Sequence, residues 1–419
     1  MRIELLCTGD ELLAGLTPDT NSPTFMAQVF ALGEQVRQST LVGDDRAEII
    51  EALRTLGARA DVVLVSGGLG PTADDLTAEC AAEAASVKLV EHPATRKHLE
   101  ARFIARGRVL TANNFKQALV PEGSEVVQNP EGTAPLFILT LGQALMYFVP
   151  GVPREYRALV EQEVLPRIAA RMAHEPGRIF RASRLLKTVG LPESHLDARV
   201  EPLGRRHPHV QLGFRTAAPE NHLKLLAVGA SQGEADARLR AAESDARDEL
   251  GVFIFGSGAE TFAEALGKLL VLRGETLTLA ESCTGGRVSD MLTAVAGSSR
   301  YFFGGAVSYA NALKERWLDV REATLMIHGA VSESVAREMA AGARAAGRST
   351  WALSLTGIAG PEGGTVEKPV GTVFIGLAGA RDVVVERHLF HGDREQIRAA
   401  SAYAALELLR RTLIGARDP

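Results

Sequence analysis

The chain has 419 residues, 46% hydrophobic and 23% charged, the balance of a globular protein that buries several cores without disulfides or metal staples. At roughly 100–200 residues per domain it has room for two to four domains. A formal net charge of −5 and only 5% aromatic residues argue against a nucleic-acid partner, which needs a basic surface and stacking platforms. Three cysteines, Cys7, Cys80 and Cys283, are too few and too scattered for a disulfide framework or a zinc site. Charges at Arg2, Glu4, Asp10 and Glu11 interrupt any leader-like apolar core, and no run reaches the ~18 apolar residues of a membrane span. The expectation is a reduced, cytoplasmic protein without a membrane partner. The 41 glycines are the outlier, and their densest clusters are short loops.

In chain order, 3–7 reads as a strand, and Ser22-Pro23 opens a helix that Gly33 stops. A second helix follows Asp44-Asp45 and ends at Gly57. Val62-Val63-Leu64-Val65 is an unbroken apolar run, the pattern of a strand buried on both faces, and 143–149 is a later strand. The middle block, 177–256, gives strand 180–188, helix 193–203, strands 210–216 and 222–228, helix 234–250 and strand 252–255. This is a split βαββαβ order, and without a polar constellation the block reads as a spacer or dimerisation module. The last block returns to α/β. Strands are expected at 276–280, 304–309, 350–355, 371–377 and 382–390, with helices at 285–296, 332–346 and 394–413. The last helix has Asp393 as cap and Gln396 three residues on, a capping box.

The strongest chemical signal is Ala280-Glu281-Ser282-Cys283-Thr284-Gly285-Gly286, a glycine-rich turn between a strand and a helix. Such a turn offers free N–H groups to a phosphate or an oxyanion, and makes Ser282 a candidate nucleophile. The competing reading is that Ser282 or Thr284 caps the helix. Cys283 is a rival nucleophile in the same turn. No histidine lies in the adjoining loops, so the base is sought in Tyr309-Ala310-Asn311-Ala312-Leu313-Lys314. A desolvated lysine activates serine, although a lysine at a strand end is usually a surface residue. Thr356-Gly357-Ile358-Ala359-Gly360-Pro361-Glu362-Gly363-Gly364 is the second glycine-rich loop. Its glycines suggest close backbone approach to a ligand or to the first loop.

In the first block, Gly67-Gly68-Leu69-Gly70-Pro71-Thr72-Ala73-Asp74-Asp75-Leu76-Thr77 follows the buried strand and opens a helix. Its glycines suit phosphate wrapping, and Asp74 and Asp75 are hard donors for Mg²⁺ or Mn²⁺, or one of them caps the helix. Gly9-Asp10-Glu11, Asn21 and Asp44 lie at other strand-to-helix junctions of the same block.

These segments resemble the CinA (competence/damage-inducible) family across nearly the whole chain. The C-terminal resemblance rests on Ala280–Gly286, Ala296-Gly297-Ser298-Ser299, Tyr309–Lys314, Gly329-Ala330-Val331-Ser332, Thr356–Gly364 and Lys368–Thr372. The one small departure is Ala296, where the family often has proline. The N-terminal resemblance rests on Gly9–Gly15, Asp19-Thr20-Asn21-Ser22, Val42-Gly43-Asp44-Asp45, Gly67–Thr77, Asn129–Pro135 and Pro150-Gly151-Val152-Pro153.

The resemblance implies three domains. Residues 1–175 would be a molybdopterin-binding-like α/β domain, 176–257 a small KH-like α+β domain, and 258–419 an α/β amidohydrolase domain. It implies a serine amidohydrolase that converts nicotinamide mononucleotide to nicotinate mononucleotide and ammonia without a cofactor. Ser282 would be the nucleophile, Lys314 its base and Tyr309 an assistant. Thr284, Gly285, Gly286, Asn311, Thr356, Gly357, Gly360, Arg394 and Arg398 would contact substrate, an arginine meeting its phosphate. The first domain would hydrolyse ADP-ribose to AMP and ribose 5-phosphate with Mg, Mn or Co, or else serve as a pterin- or nucleotide-binding module. Gly9, Glu11, Asn21, Gly67, Gly68, Gly70 and Thr72 would hold the nucleotide, and Asp44, Asp74 and Asp75 the metal. The middle block has Gly190-Leu191-Pro192-Glu193 in place of a GxxG loop and no basic face, so RNA binding is not expected. A homodimer is the symmetry default.

Overall fold

Strand β1 (Ile3–Thr8) is buried along its whole length because it lies between two parallel neighbours, β2 (Val36–Val42) and β3 (Val62–Ser66). This is the situation that the apolar run 62–65 predicts. The computed structural model describes residues 1–107, 109–173 and 179–416. They form two compact units, Met1–Ala182 with Val228–Asp236, and Ser183–Ala227 with Ala237–Pro419. The expected boundary at 175/176 lies outside the described residues.

In the first unit the sheet runs β2-β1-β3 and then through three later strands, β8 (Ala144–Val149), β7 (Leu136–Leu141) and β6 (Glu125–Val127). The chain reaches these three after a two-stranded side sheet of β4 (Leu89–Glu91) and β5 (Leu119–Pro121). Strands β3 and β8 pair in parallel, whereas β7 and β6 add antiparallel. Alternation divides the apolar residues between two cores. Leu6, Val63, Val65, Phe137 and Phe148 face α3 (Arg46–Arg59) and α4 (Thr77–Ala84). Leu5, Val62, Leu64, Leu136 and Tyr147 face α2 (Asn21–Ala31), α6 (Pro153–Leu159) and α7 (Leu165–Ala173), the last two joined by a π-turn at Val160–Val164. Two further helices, the short α1 (Asp10–Leu13) and α5 (Pro93–Ala105), complete the unit.

In the second unit the expected βαββαβ order appears as β9 (Phe180–Val189), α8 (Glu193–Arg206), β10 (Val210–Ala217), β11 (Glu220–Gly229), α9 (Gln232–Leu250) and β12 (Ile254–Ser257), in the sheet order β10-β11-β9-β12. A capping box at Thr261 and Glu264 then starts α10 (Phe262–Arg273). All five strands expected in the last block are present: β13 (Leu277–Glu281), β14 (Phe302–Val307), β15 (Trp351–Gly357), β16 (Thr372–Ala378) and β17 (Val383–Leu389), ordered β14-β13-β15-β16-β17. The pairs β13–β14 and β13–β15 are parallel, so both strand ends beside β13 open on the same edge as Ser282.

The helices here are α11 (Arg287–Thr293), α12 (Asn311–Leu318), α13 (Glu322–His328), α14 (Glu333–Gly347) and α15 (Arg394–Ile414). One sheet face carries Leu277, Leu279, Leu353, Leu355 and Ile375 against α10, α11 and α15. The other carries the small residues Ala280, Ala352 and Ala378. With no bulk in the way, α14 sits so close that Ser354 Oγ donates to the Ala336 carbonyl at 2.6 Å.

Candidate functional site

Ser282 follows the last residue of β13, and its N–H is held by the Leu355 carbonyl of β15 at 2.9 Å. Lys314 comes from the first turn of α12, and is 1% exposed. Its Nζ donates to the carbonyls of Ser308 (2.8 Å) and Tyr309 (3.1 Å) and lies 3.1 Å from Ser282 Oγ. Among the described residues no carboxylate forms an ion pair with it. Burial lowers its pKa from the ordinary lysine value, with Cys283 pulling the other way. A neutral amine has two N–H bonds and one lone pair. The two carbonyls take the N–H bonds, and the lone pair is left for the Ser282 hydroxyl proton.

The capping alternative is overturned. The residue at the N-terminal cap of α11 is Gly286, at φ +92°, and no side chain caps there. Thr284 Oγ1 is buried without a hydrogen-bond partner. The turn's donors go instead to Glu281, a fully buried residue that the sequence did not single out. The N–H groups of Gly286 (3.0 Å), Val288 (3.1 Å) and Ser289 (2.8 Å) all donate to its carboxylate. The N–H groups of Cys283 and Thr284 lie toward the Cys283 sulfur and donate to no main-chain carbonyl among the described residues. The Cys283 thiol is pushed up to about 12, mainly by burial, which leaves it protonated and a poor rival to Ser282.

The other expected contacts divide. The carbonyl of Tyr309 meets Lys314, but its hydroxyl accepts from Arg394 at 3.1 Å and makes no hydrogen bond to Ser282 or Lys314. Arg394 also donates to the Gly360 carbonyl at 2.6 Å, and Arg398 to the Thr284 carbonyl at 2.8 Å. Both arginines therefore brace the two glycine-rich loops. Gly285, Gly286 and Arg398 also line a cavity of about 560 Å³. Thr356 is buried with its hydroxyl on the Ala330 carbonyl (2.7 Å), and Asn311 is exposed at the start of α12. The second loop's glycines approach their own hairpin. A Cβ at Gly357 would meet Val373 and the Thr372 carbonyl, and one at Gly360 would meet Val370.

In the first unit, Gly9, Glu11, Asn21, Asp44, Gly67, Gly68, Gly70, Asp74 and Asp75 line one cavity of about 560 Å³, as their positions at strand ends predict. Thr72 is not in its wall. Asn21 Nδ2 ties the rim together by donating to the Gly151 carbonyl at 2.8 Å. Asp75 faces its own loop: its carboxylate accepts from the N–H groups of Gly70 (2.7 Å) and Thr72 (2.8 Å) and from the Thr72 hydroxyl. It does not cap α4, which starts behind Leu76 without a side-chain cap. Asp44 exchanges hydrogen bonds with Asp10, and burial, then the charges of Asp10, Glu11 and Asp74, push its carboxyl up.

The expected metal set of Asp44, Asp74 and Asp75 does not fit a resident ion. Asp75 is occupied by the loop, and no group of three or more His, Cys, Asp or Glu is placed to hold one among the described residues. Glu155, which no sequence pattern singles out, also lines this cavity. It accepts from Asn129 Nδ2 at 2.7 Å, and burial raises its carboxyl.

Family profiles match three stretches of the chain: a probable molybdopterin binding domain at 4–170, the damage-inducible protein CinA KH domain at 183–256, and the CinA C-terminal domain at 259–413. A CinA-like protein of Myxococcus xanthus is 52% identical over 417 residues, covering 99% of both chains. Another, from Anaeromyxobacter sp. strain Fw109-5, is 47% identical over 415 residues, again covering 99% of each. Among solved structures, a competence/damage inducible protein from Agrobacterium tumefaciens is 37% identical over 37% of this chain and 97% of its own, with a TM-score of 0.35. The chain belongs to the CinA family, with a molybdopterin-binding-like domain, a KH domain and a CinA C-terminal domain. No helix among the described residues is long and apolar enough to cross a membrane.

Proposed function

We propose that the C-terminal block is a serine amidohydrolase that deamidates nicotinamide mononucleotide. The supporting observation is the buried Lys314 amine, held by two carbonyls and 3.1 Å from Ser282 Oγ. Neutral Lys314 takes the hydroxyl proton as Ser282 Oγ attacks the carboxamide carbon. The N–H groups of Cys283 and Thr284, which donate to no main-chain carbonyl among the described residues, would turn from the Cys283 sulfur to the oxyanion. The Lys314 ammonium returns the proton to the leaving nitrogen, and ammonia departs. Water, deprotonated by the same amine, hydrolyses the ester and restores Ser282. The pyridinium of the substrate is itself positive, and near Lys314 it favours the neutral amine further. Ammonia release by K314A and K314R tests the assignment: both are expected to fall to background, and near-native release by either contradicts it.

For the first unit we propose a nucleotide-binding site, on the strength of the cavity that gathers Gly9, Asn21 and the Gly67–Gly70 loop. ADP-ribose hydrolysis is the activity to assay there, and a pterin- or nucleotide-binding role is the alternative. Among the described residues no group of three metal-ligating side chains is placed together, so no step is assigned to a metal. Incubation of the full chain with ADP-ribose, with and without Mg²⁺, Mn²⁺ or Co²⁺, separates the two. AMP and ribose 5-phosphate support catalysis, whereas tight pterin binding without turnover supports the binding module. We propose a cytoplasmic homodimer acting on small nucleotides.

A further inference from the structure

Glu281 stands between strand and turn in a way that a structural carboxylate does not require. It is 0% exposed, and among the described residues no lysine, arginine or histidine forms an ion pair with it. Its side chain instead accepts four donors from the start of α11: the N–H groups of Gly286, Val288 and Ser289, and the Ser289 hydroxyl at 2.7 Å. Its own carbonyl accepts from the Ser308 N–H at 2.8 Å, and the Ser308 carbonyl in turn accepts from Lys314 Nζ at 2.8 Å. Ser282 is the next residue along the chain. One side chain and its peptide thus join the nucleophile, the lysine strand end and the helix behind the turn.

This arrangement has a chemical consequence. Without Glu281, the donors at the start of α11 would need another acceptor, and Ser282 and Thr284 carry hydroxyls in the same turn. A serine engaged as a cap cannot present its proton to an amine. Charge-assisted bonds to a buried carboxylate outcompete such capping by a neutral hydroxyl.

We propose that Glu281 is a positioning residue for the amidohydrolase: it tethers the first turn of α11, and so keeps the Ser282 hydroxyl on Lys314. This rests on Ser282 being the nucleophile. Gln at this position keeps the shape but turns an NH₂ toward N–H groups that need an acceptor.

The test uses the full chain and two readouts, deamidation kinetics and labelling of Ser282 by diisopropyl fluorophosphate. In the labelling, the serine oxygen bonds to phosphorus, fluoride leaves and Lys314 takes the proton. At temperatures where the fold is intact, E281Q lowers kcat and the labelling rate together by at least about tenfold, with KM within about twofold, as a displaced nucleophile requires. If E281Q does not fold, S289A carries the test. It removes one of the four donors and no charge, and lowers the labelling rate by about two- to fivefold with KM unchanged. Variants that melt earlier but label and turn over at the native rate overturn the proposal, because Glu281 then only stabilises the fold. A native chain that neither labels at Ser282 nor releases ammonia overturns the nucleophile assignment itself, and the proposal with it.

Discussion

Lys314 is the residue on which the proposed chemistry turns, and its burial has two separable consequences. The first concerns the rate. The base must be neutral, and burial lowers its pKa from the usual lysine range. Deamidation is therefore expected to rise with pH to a plateau whose midpoint lies below the ~10.4 of an exposed lysine. A kcat/KM profile from pH 6 to 10 that shows no lysine-like limb below that value contradicts the role. The second concerns stability. Below its folded pKa the amine is charged in both states, and its desolvation works fully against folding. Between that value and ~10.4 the unfolded chain holds the extra proton, so this contribution eases as pH rises. K314M is accordingly expected to unfold at a higher denaturant concentration than the native chain at pH 7 while releasing no ammonia. A lower midpoint would show that the three hydrogen bonds of the amine outweigh its burial.

At the scale of elements, α15 brings both bracing arginines to the site, because Arg394 and Arg398 lie one turn apart at its start. The helix is opened by the Asp393–Gln396 capping box, in which Asp393 accepts from the Gln396 N–H at 2.8 Å. D393A is expected to cost about 1 kcal/mol in chemical denaturation. It is also expected to lower deamidation more than the stability loss accounts for, since both arginines shift with the helix start. Native kcat and KM in D393A would show that the arginines brace nothing the reaction needs.

That capping box was legible in the sequence because it is a local pattern, and so were β3, the middle βαββαβ order and all five strands of the last block. What was not legible depends on contacts distant in sequence. Lys314 reads as a surface lysine until the chain between β14 and α12 brings its amine onto the Ser308 and Tyr309 carbonyls beside Ser282. Glu281 and Glu155 are unremarkable acids until the donors of α11 and the amide of Asn129 reach them. Asp75 reads as a free metal ligand because the turn that brings Gly70 and Thr72 back onto it has no signature of its own. The glycines of the second loop read as a ligand cradle, whereas their close neighbours are Val370, Thr372 and Val373.

At the scale of the whole molecule, the middle block is tied to the C-terminal block inside the second unit. Tyr403 of α15 donates to Glu220 of β11 at 2.8 Å, and the same carboxylate meets His222 Nε2 at 2.6 Å, both acid and histidine being buried. Y403F removes a donor from a buried carboxylate and is expected to cost about 1.5–3 kcal/mol, read from the denaturation midpoint of the full chain. An unchanged midpoint would mean that the contact does not hold the two blocks together. The first unit has its own cavity and its own residues, so S282A is expected to leave any ADP-ribose turnover or nucleotide binding untouched. The most direct measurement is the yield of ammonia and nicotinate mononucleotide from nicotinamide mononucleotide, with the native full chain and S282A side by side. The native chain is predicted to form the two products in equal amounts while S282A stays at background. No turnover by the native chain, or equal turnover by S282A, contradicts the assignment.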